Sequence, residues 1–238
     1  MAFELKRFWD EAHVVEAEGG YTVTLDKRPL KTPMKRPLIV PSKALATEIA
    51  AEWQALEGKV DHATLPYTKF AHAGLDQAID ERKEIATKTA LYGETDLLCY
   101  RAEAPQELAM RQAKAWDPLL QWCVDDLGAP LLVTKGIVHV AQPEASLQAL
   151  AAHVQPYQGF ALKALYDWVT ISGSLVLGLA VAKRRLTAAE GWALSRIDES
   201  WQEEQWGVDD EAKKLADSKR DTFLLVERAL SLIEADCA

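Results

Sequence analysis

The chain has 238 residues, enough for one large domain or two modest ones, each with its own core. Apolar residues make up 49% of it and charged residues 26%, a globular profile that excludes a disordered or fibrous chain. A formal charge of −9 argues against a broad nucleic-acid surface, which needs an excess of Lys and Arg.

Gly19 and Gly20 lead into Tyr21-Thr22-Val23-Thr24-Leu25, where β-branched and aromatic residues alternate at strand period. Asp26-Lys27-Arg28 turns the chain, and a proline-spaced return runs through Pro29 to Pro33 and Pro37 to Pro41. At Ser42 the period changes. Ala44, Leu45, Ile49 and Trp53 fall at helical spacing behind a serine able to cap the first turn. Gly58 to Pro66 is a polar connection and sets the expected boundary between a β-rich domain with one helix, residues 1–62, and a helical domain, residues 63–238. The expected class is therefore α+β, a small N-terminal β-rich domain followed by a larger multi-helical one. Lys27, Arg28, Lys31, Lys35 and Arg36 form a basic patch near the start of a chain whose C-terminal half is rich in acid.

Beyond the boundary nearly everything reads helical. Residues 77–92 carry Ile79, Ile85, Ala86, Ala90 and Leu91 among charges, with Gly93 closing the segment. Residues 105–127 look like one helix interrupted at Pro118, so that Asp117 caps a second helix there. Residues 131–140 favour extended chain, and whether they form a hairpin is left open. Tyr157 to Lys183 is apolar almost all round, as a central bundle helix is, with Gly173 and Gly178 expected to let neighbours approach. Its longest uncharged run, Trp168 to Ala182, falls short of the roughly 20 residues of a membrane span, so no membrane insertion is expected. Thr187-Ala188-Ala189-Glu190 matches a capping box for a helix running to Trp206 and stopping at Gly207. Asp209-Asp210-Glu211 opens a last helix that, continued to Ala235, is about 40 Å long.

Catalytic chemistry is hard to find. Gly173 to Gly178 lacks the Lys of a phosphate loop, and Ser172 and Ser174 lack the glycines of a nucleophile elbow. Five histidines show no HxxxH or HExxH spacing, and Cys99, Cys123 and Cys237 form neither a disulfide framework nor a CxxC pair, so neither metal nor cofactor is expected. Met1 to Lys6 has no secretory or transit features, which reads as a cytoplasmic, bacterial protein. The segment Arg196 to Gly207 stands out instead. Asp198, Glu199, Gln202 and Gln205 share one side of its helix, and Ile197, Ser200, Trp201 and Glu204 another, placing acids beside large aromatics as in a recognition surface.

Six blocks together resemble the assembly chaperone family that handles the alpha subunit of the F-type ATP synthase catalytic head. They are Lys6 to Trp9, Glu18 to Pro33, Val40 to Trp53, Thr95 to Arg101, Trp116-Asp117-Pro118 and Arg196 to Gly207. The resemblance implies a β-rich N-terminal and a helical C-terminal domain, and binding without catalysis. The partner it implies is the unassembled alpha subunit, shielded on its beta-facing surface and released on assembly, in the bacterial cytoplasm or, for eukaryotic relatives, the mitochondrial matrix. It carries client binding onto Arg196, Glu199, Gln202 and Trp206, and makes Asp96, Tyr100 and Arg101 a second candidate patch. The family tends to be more acidic where Ser200 stands and to have Tyr where Trp201 stands. Two other readings compete: a small-molecule enzyme with a polar inter-domain pocket built from Asp96, Tyr100, Arg101 and Asp117, and a helical scaffold for another client.

Overall fold

The computed structural model describes residues 6–76 and 81–235, and bears out the α+β class. Strands β1 (Ala12–Ala17), β2 (Gly20–Leu25) and β3 (Arg28–Pro29) form an antiparallel sheet in sequence order, with Val14 opposite Val23 and Glu16 opposite Tyr21. The turn expected at Asp26 is present, with Asp26 itself at φ 54°. Its carboxylate accepts from the Asp10 and Glu11 amides and so ties the turn to the strand entry. The return strand is mostly single bridges, Lys31 to Pro37 and Tyr21 to Val40, because prolines remove ladder donors. β1 was not anticipated: its residues are half-buried or exposed, so Ala-His-Val-Val-Glu-Ala carries little alternation.

Helix α1 (Lys43–Ala55) starts where expected, with Ser42 Oγ accepting from the Leu45 amide at 3.0 Å. Leu45, Ile49 and Trp53 form the buried stripe of α1, which packs on β1 and β2, where Val23 and Leu25 are buried. Trp53 meets Trp9 at 5.4 Å between ring centres and donates its indole N–H to Thr68 in α2 (Pro66–Leu75). The Glu52 carboxylate accepts from the Tyr67 and Thr68 amides at the start of α2, where the helix dipole favours an anion. At the other end of α1, the Arg7 guanidinium donates to the carbonyls of Gln54 and Leu56, groups the helix leaves unpaired. By its internal contacts this first compact unit comprises, of the described residues, 6–76, 81, 158–163 and 225–235.

The second unit comprises Arg82–Tyr157 and Ala164–Leu224. Its elements are α3 (Arg82–Leu91), two 3-10 turns (Tyr92–Thr95 and Leu97–Cys99), β4 (Tyr100–Arg101), α4 (Gln106–Leu127), β5 (Thr134–Lys135) and α5 (Glu144–Val154). There follow α6 (Gly159–Ser172), α7 (Leu175–Ala182), α8 (Ala188–Ser195), α9 (Ile197–Trp206) and α10 (Asp210–Ala235), the first and last of which also contribute residues to the first unit. Of the helix expected over 77–92, residues 77–80 lie outside the described residues, and α3 covers the rest but for Glu81 and Tyr92.

Expectations are corrected at three helices. α4 runs unbroken through Pro118, because Lys114 and Pro118 both lie on its exposed side, where solvent replaces the bond the proline cannot make. The question left open at residues 131–140 is answered without a hairpin: Thr134 and Lys135 pair in parallel with Tyr100 and Arg101. The apolar helix over 157–183 is two helices, since Gly173 adopts φ 71° and Ser174 caps α7 by accepting from the Leu177 amide. Only Gly178 allows the close approach expected of the pair: a Cβ there would lie 2.3 Å from Val169 Cγ2. The helix expected over 187–206 also divides, at Arg196, although its capping box is present and it stops at Gly207 as expected.

Candidate functional site

The corner at Arg196 builds the site. Its backbone, at φ −111° and ψ 17°, leaves the helical region and redirects the chain from α8 into α9. The side chain, about one fifth exposed, pairs with Glu199 at 2.9 Å and Glu203 at 3.2 Å, while its guanidinium lies over the Trp192 ring at 5.6 Å. One cation thus organises two carboxylates on successive turns of α9. Asp209 closes the next corner by accepting from the Ala212 amide, capping α10.

Between α9 and α10 lies an open cleft of about 340 Å³. Arg196, Glu199, Gln202 and Trp206 all line it, together with Glu203, Asp209, Leu215 and Lys219. The four residues singled out from sequence are therefore neighbours in space. Trp206 is 79% exposed, and Val208 and Leu215 add further exposed apolar surface in the same stretch. A second hollow of about 410 Å³ lies beside it, lined by Arg111, Trp192, Ser200, Glu203, Val208 and Lys213 among others. The sequence reading missed Glu203, Val208, Leu215 and Lys219 as surface residues of the site. The visible signal was Val208 and Leu215, the bulky apolar residues of a stretch, 207–221, otherwise made of charged, polar and small residues.

Asp96, Tyr100 and Arg101 are placed differently. Asp96 is fully buried, and its carboxylate accepts from the Ser174 hydroxyl at 2.7 Å and from the Val176 and Leu98 amides at 2.9 and 3.0 Å. It joins the start of α7 to the Leu97–Cys99 turn. Burial pushes its carboxyl up to about 6, against those donors, which favour the anion. Arg101 is buried over the Trp116 ring, donates to the Leu98 carbonyl and meets Asp117 at 2.8 Å. Tyr100 is half-buried, its hydroxyl 3.2 Å from His139 Nδ1.

α4 holds α9 in position. Trp116, fully buried, donates its indole N–H to the Leu194 carbonyl at 2.9 Å. The buried Gln112 accepts from the Ala102 amide and donates to Asp198 at 2.6 Å, and Arg111 grips both oxygens of Glu204. Asp198 and Glu204 are thus taken up in fixing the helix, leaving Glu199, Gln202 and Trp206 to face outward. Burial raises the thiols of Cys99 and Cys123 to about 12, so neither is a nucleophile at neutral pH. Among the described residues no group of three or more His, Cys, Asp or Glu could hold a metal ion, and no helix is long and apolar enough to cross a membrane.

The sequence profile of the family described as ATP12 chaperone protein matches residues 6–124. The chain is 43% identical to the Atp12 of Paracoccus denitrificans, whose crystal structure it matches with a TM-score of 0.87 over 96% of this chain and 98% of that one. The Agrobacterium tumefaciens protein Atu1473 is 36% identical, with a TM-score of 0.85 over 96% of this chain and 85% of that one. Protein atp12, mitochondrial, of Schizosaccharomyces pombe is 26% identical over 222 residues, covering 88% of this chain and 76% of the relative. A protein with this fold and these relatives is an ATP synthase assembly chaperone. The chain belongs to the ATP12 chaperone family.

Proposed function

We propose that this chaperone binds the unassembled alpha subunit of the F-type catalytic head at the α9–α10 corner, covers the face that later meets a beta subunit, leaves on assembly, and performs no covalent chemistry. One observation carries the choice of surface: Trp206, 79% exposed, lines the same cleft as the Arg196–Glu199–Glu203 cluster. An exposed aromatic beside an ordered charge group suits reversible recognition, since the ring supplies buried area and the charges supply orientation. An orphan subunit exposes a large interface prone to aggregate, and covering it reversibly is sufficient. The part of the chain after residue 62 carries the whole of this surface. Asp96 and Arg101 are buried and line no part of this cleft, so they are assigned to the frame.

The test mixes the purified chain with isolated alpha subunit and follows complex formation by sedimentation and aggregation by light scattering. A complex and reduced scattering at micromolar concentration are expected; neither occurring defeats the proposal. Glu199→Lys places a cation beside Arg196 and should weaken the complex at least about ten-fold, roughly 1.4 kcal/mol, with circular dichroism unchanged. Unaltered affinity removes Glu199 from the site.

A further inference from the structure

β4 and β5 make a parallel sheet of only two strands, with Tyr100 opposite Thr134 and Arg101 opposite Lys135. The Gly136 amide donates to the Arg101 carbonyl at 2.8 Å. In a parallel ladder the residues that bond one partner are two apart, so Thr134 and Gly136 turn their main-chain groups to β4, and Val133 and Lys135 turn theirs away. Leu132 shares the phase of Thr134, and there the side-chain amide of Gln142 stands in for a strand: it accepts from the Leu132 amide at 2.7 Å and donates to the Leu132 carbonyl at 2.9 Å. The inner side of residues 132–136 is thereby paired along its length. On the outer side, among the described residues, the Val133 and Lys135 main chains meet only a long 3.5 Å contact from the Thr134 hydroxyl to the Lys135 carbonyl.

This open edge is apolar and fixed in place. Leu132 and Val133 are about half exposed, Val138 is 71% exposed and Ile137 is 96% exposed. Ser146 holds the entry of the segment through the Pro130 carbonyl, and Tyr100 meets His139 at its exit. Gly136, at φ 72°, lies so close to Glu103 that a Cβ would come within 2.8 Å of Oε1. Residues 129–143 contain Lys135 as their only Asp, Glu, Lys or Arg, and no Trp, Tyr or Phe. A lipid-inserting tip is usually built on aromatic anchors, and a net charge of −9 opposes approach to anionic bilayers. β-branched side chains around an unpaired strand edge match an extended polypeptide instead.

We propose that the outer edge of β5 receives an extended aliphatic segment of the alpha subunit, which adds as a third strand bonded to the Val133 and Lys135 main chains and covers Ile137 and Val138. The identity of the occupant rests on the function proposed above; the mode of binding rests on the edge geometry. It is tested by residue-resolved amide exchange of the full chain, free and with purified alpha subunit, and by the affinities of Val133→Pro and of Ile137→Ser combined with Val138→Ser. Among the described residues the Val133 amide has no acceptor, so proline there removes an outward donor only. Exchange at Val133 and Lys135 should slow at least about ten-fold in the complex, and each variant should lose at least about ten-fold in affinity with circular dichroism unchanged. A complex that leaves both amides unprotected overturns the strand addition and leaves the proposed function standing, whereas no complex at all overturns both. If Val133→Pro fails to fold, the serine pair and the exchange decide. Binding to phosphatidylglycerol vesicles through Ile137 and Val138, with alpha-subunit affinity unchanged in the serine pair, assigns the loop to lipid and also overturns the proposal.

Discussion

The second unit holds two carboxylate clusters that do opposite things with the same chemistry. Asp96 is fully buried, with a hydroxyl and two amides converging on its oxygens; nothing outside the fold can reach it. Glu199 and Glu203 share a single arginine at an exposed corner, each with its side chain about two fifths to one half open to solvent. The first cluster fixes where α7 begins, and the second presents charge beside Trp206. The contrast teaches that burial and donor count, rather than residue type, separate the frame of this chaperone from its proposed binding surface.

The contrast is sharpest between two tryptophans. Trp116→Ala, in the frame, empties a fully buried site and leaves the Leu194 carbonyl without its donor, so unfolding in urea should show a loss of about 3–5 kcal/mol. Trp206→Ala, at the corner, should move stability by less than about 0.5 kcal/mol while weakening the proposed alpha-subunit complex at least about ten-fold. If the two residues exchanged these effects, the division between frame and surface would be broken.

Asp96→Ala should cost about 3 kcal/mol, since the Ser174 hydroxyl and the Val176 and Leu98 amides would be left buried without an acceptor. A pH series sharpens this. The folded carboxyl at about 6 stands above its ordinary 3.8, so the folded state binds the proton more tightly than the unfolded one. Asp96 therefore contributes most stability below its ordinary value and loses that contribution as pH rises through about 6. Wild type should decline relative to Asp96→Asn across this interval, and parallel urea profiles would contradict the assignment. A smaller loss of stability than at Asp96 is expected from Thr187→Ala, which removes the hydroxyl that accepts from the Glu190 amide, leaves the backbone amide of residue 187 donating to the Glu190 carboxylate, and should cost about 1 kcal/mol in the same assay.

What could be read in advance depended on how local its cause is. Strand β2, the Ser42 cap of α1, the Thr187 capping box and the stop at Gly207 each arise within a few residues, and all four were legible. The breaks at Gly173 and Arg196 were not, because each is flanked by residues held from far along the chain; beside Arg196 these are Leu194, bonded by Trp116, and Asp198, bonded by Gln112. The Gly173 carbonyl accepts from the Leu97 amide, and Ser174 is held by Asp96. Pro118 misled for the converse reason: its local rule predicts a break, and exposure on the outer side of α4 removes the penalty. In the candidate site, the helical spacing of Glu199, Gln202 and Trp206 brought them to one cleft, whereas Leu215 and Lys219 enter it from α10 across a corner whose angle no local pattern encodes. The burial of Asp96 and Arg101 is likewise a tertiary fact.

The segment Leu175–Ala182 has seven of its eight residues buried, so it has no face that water could tolerate. Its leading end is tethered to a side chain from Asp96, some eighty positions earlier in the chain. It cannot slip out alone; releasing it means dismantling the 97–99 turn and the surroundings of α4 together. A guardian of other chains' adhesive surfaces thereby keeps its own most adhesive stretch under a lock that opens only when the whole unit melts.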